Sequence, residues 1–332
     1  MTVRNYFVEN IATIEKSFDE YFFEIIKQFG NEIALTDPET MKSFTYTELI
    51  NRSEQMRNAL IRLGIQHGDI IGTYAGNSSD YITFILAAIG IGVILVPLNP
   101  AYKTYEIEKY FNKASVKWLL TEEKLFEKIK HFKEKNMEAI IFFSSGTTGL
   151  PKGVIFNHKT LIANINLVRK AQGIKCGRYE MVSLNNTDVV YGVLPYFHAG
   201  GLLTVFGLLG LGVQIIINRR FSAEQFLKTL GNYQVTTLLL VPPVLKFLSI
   251  APNLNPEAFR SLKYIFVGSA HVNESLIIMI KQRLPKTSII QLYGTTEAGA
   301  FVFMQPLFSD GKTGSCGILL PNVECKVKFK LY

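Results

Sequence analysis

Two long uncharged runs limit the folds open to this sequence more than any other feature. They span residues 81–98 and 199–217, and each approaches the length of about 20 residues that a transmembrane helix needs. However, each run contains a Gly-x-Gly segment, and Pro97 lies near the end of the first. Because strands that are buried on both faces are continuously apolar, we predict that each run folds as a helix, a glycine turn and a short strand. Two membrane helices are the alternative.

The two runs also resemble each other. Residues 87–96 (AAIGIGVILV) and 207–216 (GLLGLGVQII) share a helix end, a glycine pair and a strand that begins with Val. Unless this short match is a coincidence, it indicates two similar α/β lobes. Helical and strand-like segments alternate around the runs, which favours largely parallel, helix-covered sheets. The predicted helices are 47–63, 106–113, 123–135, 223–230 and 274–284, and the predicted strands are 69–75, 116–120, 139–143, 235–241, 264–267 and 288–292.

The predicted fold class is therefore α/β, with two helix-covered, mostly parallel sheets. We place the lobes approximately at residues 1–190 and 191–300, and the start of a small β subdomain at 301–332. Apolar residues alternate with lysines from Cys325 to Leu331, which is typical of a strand with one buried face. Since no later segment can pair with this strand, we expect an exposed edge and a truncated product. The alternative is a complete chain in which this strand pairs with an earlier one.

The composition excludes a disordered chain, because 48% of the 332 residues are hydrophobic and 19% are charged. The net charge of +8 favours anionic ligands such as nucleotides, but no nucleic-acid-binding motif accompanies it, so we expect no nucleic-acid partner. The three cysteines form no C-x-x-C pair, which argues against a disulfide scaffold or a zinc site and favours a reducing compartment. The first ten residues lack the apolar core of a signal peptide, and no targeting signal is visible.

The strongest chemical signal is FFSSGTTGLPKGV, residues 142–154. Its central ten residues, 144–153, contain two Ser, two Thr, three Gly and one Lys. Glycine lets main-chain N–H groups approach an anion, hydroxyls add donors, and Lys152 supplies a positive charge for phosphate oxygens. The pattern predicts a phosphate-binding loop that differs from the Walker A motif. A glycine-rich surface turn is the alternative.

A second segment, QLYGTTEAG at residues 291–299, also follows a predicted strand. Tyr293 offers a flat face for a base, and Thr296 offers a hydroxyl group. Glu297 offers a carboxylate that can hold Mg²⁺ if waters and a substrate phosphate supply the other ligands. Taken alone, Glu297 is as well explained by a favourable position at a helix N-terminus. A third segment, LPYFHAGG at residues 194–201, carries His198, which as a lone histidine is more often structural than catalytic.

Together these three segments resemble the adenylate-forming (AMP-binding) superfamily, which includes acyl-CoA synthetases, 4-coumarate–CoA ligases, beetle luciferases and peptide-synthetase adenylation domains. The resemblance runs from about Phe44 to the terminus, and VGSA at residues 267–270 also falls in the expected order. It is strongest to the acyl-CoA synthetase and 4-coumarate–CoA ligase branch. It implies that residues 1–332 form an N-terminal AMP-binding domain that activates a fatty or aryl carboxylic acid. ATP would give an acyl-AMP, coenzyme A would then give a thioester, and the full-length form would be intracellular, cytoplasmic or peroxisomal.

The resemblance also implies a role for each matching residue. Lys152, His198, Thr296 and Glu297 would be catalytic, and Thr147 and Glu297 would hold Mg²⁺. His198 would stand at the carboxylate end of the acyl pocket. The implied phosphate ligands are Ser144, Ser145, Gly146, Thr147, Thr148, Gly149, Lys152 and Thr296. The implied adenine contacts are Gly268, Ser269, Ala270, Gln291, Leu292, Tyr293 and Gly294. The implied lining of the acyl pocket is Val241, Val267, Gly294 and Ala298.

The sequence departs from the family pattern in two places. After the segment GKTGSCGILLPNVE no T-G-D motif follows, and the small C-terminal domain with its lysine is absent. The stretch from residue 118 to residue 144 is also shorter than in the family. These departures leave a second hypothesis open, in which the chain is a truncated isoform that binds ATP or an acyl group but turns over poorly.

Overall fold

The structure is a computed structural model, and it describes residues 2–4, 14–126, 142–144, 152–176, 179–192, 194–252, 259–307 and 314–326. Its helices are α1 Phe18–Ile26, α2 Tyr46–Arg62, α3 Ser79–Ile91, α4 Thr104–Ala114, α5 Glu123–Phe126, α6 His158–Lys170, α7 Ala199–Leu209, α8 Ala223–Asn232, α9 Pro242–Ile250 and α10 Glu274–Arg283. Its strands are β1 Thr2–Arg4, β2 Ile33–Asp37, β3 Lys42–Thr45, β4 Ile70–Tyr74, β5 Ile94–Leu98, β6 Trp118–Thr121, β7 Phe142–Ser144, β8 Lys152–Val154, β9 Lys175–Cys176, β10 Tyr179–Glu180, β11 Val189–Gly192, β12 Gln214–Ile217, β13 Thr237–Leu240, β14 Tyr264–Val267, β15 Ser288–Tyr293, β16 Phe303–Met304, β17 Ile318–Leu319 and β18 Glu324–Lys326.

Two sheets with parallel strands form the centre of the molecule, which confirms the predicted α/β class. The larger sheet has nine strands in the order β17-β16-β15-β14-β13-β11-β12-β2-β3, and its strands from β15 to β2 run parallel. The smaller sheet has the order β5-β4-β6 and is parallel throughout. The larger sheet takes strands from both sides of residue 190, so the lobes at 1–190 and 191–300 stay a prediction about domain organisation.

Each of the two long uncharged runs folds as predicted. The first forms α3 and β5 and the second forms α7 and β12, with a glycine pair at each junction. The second glycine of each pair, Gly92 or Gly212, has a left-handed backbone with φ of 79° or 82°, which a glycine adopts without steric cost. Within the described ranges, no helix combines the length and apolarity that a bilayer crossing requires.

Alternate residues of the parallel strands pack into two separate cores, because successive side chains point to opposite faces of a sheet. Leu239 and Phe266 belong to the core that also covers α3, α6 and α7. Leu238 and Val267 belong to the core under α8, α9 and α10. This division decides which strand residues can reach a site on a given face.

The C-terminal strand departs from the first expectation. Lys326 pairs with Thr2 and Glu324 pairs with Arg4, so β18 is antiparallel to β1 and does not form an unpaired edge over these residues. The expected exposed edge is therefore wrong here, and the alternative pairing with an earlier strand is correct. Residues 327–332 lie outside the described residues. The predicted helix at 123–135 is described only as far as Phe126, and the predicted strand at 139–143 is described from Phe142.

Candidate nucleotide and acyl site

The carboxyl ends of three parallel strands open onto one cavity of about 80 Å³. β11 leads to the segment with His198, β14 leads to Gly268 and Ser269, and β15 leads to residues 294–296. Ligands of open α/β sheets bind outside the carboxyl ends of the strands. The lining residues are Leu194, His198, Gly200, Thr204, Leu239, Leu240, Phe266, Gly268, Ser269, Leu292, Gly294, Thr295, Thr296, Ala300 and Phe301. The cavity thus brings together residues from all the sequence-predicted segments that the structure describes here.

His198 begins helix α7 and caps its first turn. Its Nδ1 atom accepts a hydrogen bond from the Gly200 N–H at 3.0 Å. A neutral ring that accepts at Nδ1 carries its proton on Nε2. Desolvation by the surrounding protein lowers the pKa of His198 below its ordinary value of 6.5, although part of the ring is exposed at the cavity mouth. At neutral pH, His198 is therefore an uncharged donor.

The segment before His198 lies directly against the start of α7. A Cβ atom at Gly201 would overlap the main-chain carbonyl of Pro195. Only a residue without a side chain allows this close approach. The glycines of LPYFHAGG therefore hold the His198 loop against its helix.

The turn after β15 has an unusual backbone at the cavity wall. The residues Thr296–Ala298 form one 3-10 turn, which ends at Gly299 with φ of 78°. Ala300 on this turn and Ser269 on the neighbouring loop have φ of 72° and 70°, a region that non-glycine residues seldom occupy. Such strained conformations persist where the surrounding structure enforces them and are concentrated at functional sites.

Asn164 of helix α6 fixes this turn from below, and sequence analysis did not select it. Its side-chain Nδ2 donates a hydrogen bond to the Gly299 carbonyl, and Asn164 is buried. Among the described residues its Oδ1 accepts no hydrogen bond. No local motif in the sequence links Asn164 to Gly299, because the two residues are 135 positions apart.

The predicted phosphate loop lies between the two strands of a hairpin. β7 and β8 are antiparallel, and Ser144 pairs with Lys152. Cα atoms of β7 lie within 8 Å of Cα atoms in the turn Thr296–Ala298, so the hairpin approaches the acidic turn. The loop residues Ser145, Gly146, Thr147, Thr148 and Gly149 lie outside the described residues.

The other predicted residues divide into those near the cavity and those that face elsewhere. Gln291 is held by Gln305, whose Oε1 accepts from the Gln291 N–H at 3.2 Å. Tyr293 is 47% exposed and packs against Phe303 with ring centroids 6.1 Å apart. Ala270 and Glu297 are exposed beside the cavity without lining it.

The predicted acyl-pocket lining needs a correction. Gly294 lines the cavity, but Val241, Val267 and Ala298 do not. Val267 points into the second core because its neighbour Phe266 takes the cavity side of β14. The period of two places Leu239 and Phe266 where the resemblance had placed other residues.

A model of the family "AMP-binding enzyme" matches residues 22–138 and 127–329. The chain belongs to the AMP-binding enzyme family. Among curated proteins, it is 29% identical to 4-coumarate–CoA ligase 3 of Arabidopsis thaliana, over 92% of this chain and 61% of that protein. It is 28% identical to 4-coumarate–CoA ligase 1 of Petroselinum crispum, over 92% of this chain and 63% of that protein. The chain therefore spans somewhat under two thirds of the length of these relatives.

Solved structures of AMP-binding enzymes share the fold. A long-chain-fatty-acid–CoA ligase from Archaeoglobus fulgidus superposes with a TM-score of 0.84 and 22% identity, covering 96% of this chain and 72% of that one. O-succinylbenzoate coenzyme A synthetase from Bacillus subtilis, solved with AMP, gives a TM-score of 0.73 and 23% identity, covering 90% of this chain and 80% of that one. At these identities the likeness establishes the fold alone.

A second, apolar cavity of this AMP-binding family member adjoins the first and measures about 70 Å³. The two cavities share part of their walls. The shared residues are Thr204, Leu239, Phe266, Leu292 and Phe301. The residues that line only the second cavity are Leu167, Val168, Ala171, Gln172, Val182, Leu184, Leu208, Leu211, Met304 and Leu320.

A third cavity, of about 780 Å³, lies between the two sheets. Asn77 joins the sheets at its wall: its Nδ2 donates to the carbonyls of Leu194 and Asn218 at 2.9 and 3.1 Å, and its Oδ1 accepts from the Tyr196 N–H at 2.8 Å. Arg219 on the same wall forms an ion pair at 2.6 Å with the buried Asp37. Burial alone would raise the pKa of Asp37, but hydrogen bonds from Arg219 and the Glu39 main chain outweigh it and hold the pKa below 3.8.

The donor set around the first cavity fits a metal ion that is bound mainly through a nucleotide. Within the described ranges, no group of three His, Cys, Asp or Glu side chains comes together as a metal cage. Glu297 is a single carboxylate in the first turn after β15. Mg²⁺ is commonly held by one or two carboxylates, with waters and substrate phosphates completing its shell.

Proposed function

We propose that this chain activates a carboxylic acid with ATP to form an acyl-adenylate, the first half of an acid–CoA ligase reaction. One observation carries this proposal: the cavity that contains His198, Gly268 and Thr296 lies beside the hairpin that bears the phosphate-loop sequence. Membership of the AMP-binding enzyme family supports it. The proposal concerns the whole reaction, and the relatives that perform it are longer than this chain.

The reaction requires that two anions meet, so catalysis depends on charge management. The substrate carboxylate must approach the α-phosphate of ATP, and donors must be fixed where negative charge develops. We assign adenine to the surfaces after β14 and β15 and the phosphates to the hairpin loop. Lys152 would supply positive charge, and the Thr296 hydroxyl would donate to the α-phosphate. Mg²⁺, held by Glu297 and Thr147, would neutralise part of the phosphate charge.

His198 would orient the acid. Its Nδ1 is used by the Gly200 N–H, so Nε2 carries the proton that can be donated to a substrate carboxylate oxygen. A neutral donor holds the carboxylate without pairing it so strongly that its attack is suppressed. Coenzyme A would then be the thiol co-substrate of the second step, in which its sulfur displaces AMP and forms a thioester.

ATP–pyrophosphate exchange tests the first step. It should be measured with a panel of carboxylic acids, both in this chain and in a version extended to the length of the relatives. We expect acid-dependent exchange that the Glu297→Gln variant lowers at least tenfold. The Glu274→Gln variant, which removes an equal charge from the first turn of α10, should retain exchange. Absence of exchange with every acid in the extended version would contradict the proposal.

A binding function without turnover is the second hypothesis, and the shorter length of the chain relative to its curated relatives favours testing it. Calorimetry with ATP and Mg²⁺ separates the two hypotheses. Binding of ATP by the 332-residue chain without exchange supports the binding function, whereas full turnover by this chain contradicts it.

A further inference from the structure

The two smaller cavities form one continuous channel for a substrate tail. They share five wall residues, so the inner cavity opens into the outer one at the level of Leu239, Phe266 and Phe301. His198 and Thr296 line only the outer cavity, whereas Leu184 and Leu211 line only the inner one. A carboxylate held near His198 therefore directs its tail inward.

The inner cavity offers almost no polar group to a ligand. Of its 15 lining residues, Gln172 and Thr204 alone have polar side chains. The Gln172 Oε1 accepts from the Leu184 N–H at 2.8 Å, and its Nε2 donates to the Val168 carbonyl at 2.7 Å. The Thr204 hydroxyl donates to the Gly200 carbonyl within its own helix. Both side chains are thus used by the main chain.

This lining discriminates against a phenol. A phenolic O–H at the inner end is a donor, and the one amide oxygen there already accepts from the main chain. Burying a hydroxyl without a partner forfeits the hydrogen bonds that it makes with water. A methyl terminus loses nothing in the same place and gains from leaving water.

We infer that the acid activated at this site has a plain hydrocarbon tail of medium length, and that it is not a hydroxylated aryl acid such as 4-coumarate. The inference rests on the proposed function, since it names the substrate class of the proposed site. It separates this chain from the curated relatives whose names state 4-coumarate.

The size of the channel sets the length. The inner cavity measures about 70 Å³ and the outer one about 80 Å³. An apolar cavity of about 150 Å³ holds benzene, so the two cavities together hold roughly six carbon atoms without any adjustment. Small movements of the flexible Met304 and of the leucines extend this to roughly eight carbon atoms. Leu184, on the far wall, is the residue that limits length.

Direct binding measurements test the inference without requiring catalysis. Calorimetry with butanoate, hexanoate, octanoate and dodecanoate should give an affinity that rises by about fourfold per methylene up to roughly eight carbons and then levels off. Cinnamate and 4-hydroxycinnamate form a matched pair that differs only in the hydroxyl. We expect cinnamate to bind at least tenfold more tightly than 4-hydroxycinnamate, because the hydroxyl has no acceptor.

Two matched variants test the position of the tail. Leu184→Ala should enlarge the inner cavity and move the preferred length by two to three carbons, roughly the atoms removed. Leu230→Ala removes the same atoms from the other core, so it should lower stability by a similar amount without altering the preferred length. A shift in both variants, or in neither, would overturn the placement of the tail.

The outcomes separate this inference from the proposed function. Octanoate binding without ATP–pyrophosphate exchange would support the inferred tail class and contradict the proposed reaction. Exchange with 4-hydroxycinnamate that exceeds exchange with octanoate would uphold the reaction and overturn the inference. Failure of every apolar acid to bind would also overturn the inference.

Discussion

The side-chain amide of Asn164 donates a hydrogen bond to the main-chain carbonyl of Gly299, across 135 residues of sequence. Gly299 closes the turn that carries Thr296 and Glu297, and Asn164 lies on the rigid helix α6 beneath it. The opposite amide orientation would place two oxygens against each other, so the donor assignment follows from chemistry. Asn164 is therefore a positioning residue for the acidic turn.

Replacing Asn164 with Ala should leave the Gly299 carbonyl without its donor and loosen the turn. We expect a stability loss of about 1–3 kcal/mol and a loss of at least tenfold in exchange, mostly through kcat. Asn166→Ala is the matched control, since this buried residue on the same helix accepts from Tyr21 instead. It should lower stability and spare exchange. Equal losses of exchange in the two variants would argue against a positioning role.

Replacing Gly201 with Ala tests the contact between the His198 loop and α7. The added methyl would overlap the Pro195 carbonyl, so the loop or the helix must move. We expect destabilisation of about 1–3 kcal/mol in urea unfolding, together with weaker binding of the acid. Gly210→Ala at the end of the same helix is the control, because Gly210 has helical φ of −64°. A neutral Gly201→Ala variant would show that the loop adapts freely.

The His198 ring can be divided into its two functions by substitution. His198→Asn keeps an oxygen that can cap α7 but loses the Nε2 donor, whereas His198→Ala loses both. Both variants should raise the KM for the acid in exchange assays, and Ala alone should lower the free energy of unfolding, by about 0.5–2 kcal/mol. An unchanged KM in both would remove His198 from the acid site.

The same ring predicts how pH acts on the site. Because desolvation holds the folded pKa of His198 below 6.5, the neutral ring is favoured by folding. Its contribution to stability is complete above pH 6.5 and decreases as pH falls through the interval down to the folded pKa. The KM for the acid should therefore stay flat from pH 8 to 6.5 and change only at lower pH. A change centred above pH 6.5 would contradict this assignment.

The Asp37–Arg219 pair predicts a sign reversal in the pH dependence of stability. In the unaltered chain, the lowered pKa of Asp37 adds stability above pH 3.8, and this stability is lost as pH falls through the folded pKa. Arg219→Met leaves a buried carboxylate unpaired, which should cost about 3–5 kcal/mol at pH 7 and raise the pKa of Asp37. Urea unfolding of this variant should then show stability recovering between pH 7 and 5. Arg220→Met, at an exposed neighbour, should show neither effect.

Sequence patterns predicted the parts of the fold that depend on local spacing. The glycine pairs and continuous apolar residues located α3, β5, α7 and β12, because these signals act within a few residues. The pairing of β1 with β18 escaped prediction, since register between distant strands leaves no local signal. For the same reason, the sequence located His198 and Thr296 but did not indicate that Asn164 supports the turn.

The acyl pocket shows a second limit of prediction from sequence. Family resemblance suggested Val267 as a wall residue, yet the side chain that faces the cavity is its neighbour Phe266. A shift of one residue along a strand reverses the face, so a motif match cannot replace the pleat. The shared walls of the two smaller cavities become visible only when β13, β14 and β15 lie side by side.

The central claim is that the loop between β7 and β8 and the turn at Thr296–Ala298 bind one nucleotide. A crystal structure with a non-hydrolysable ATP analogue and Mg²⁺ tests it most directly. The account predicts adenine beside Gly268 and Tyr293, with the phosphates between the hairpin loop and Glu297. A nucleotide seated instead in the 780 Å³ cavity beside Asn77 and Arg219 would contradict it.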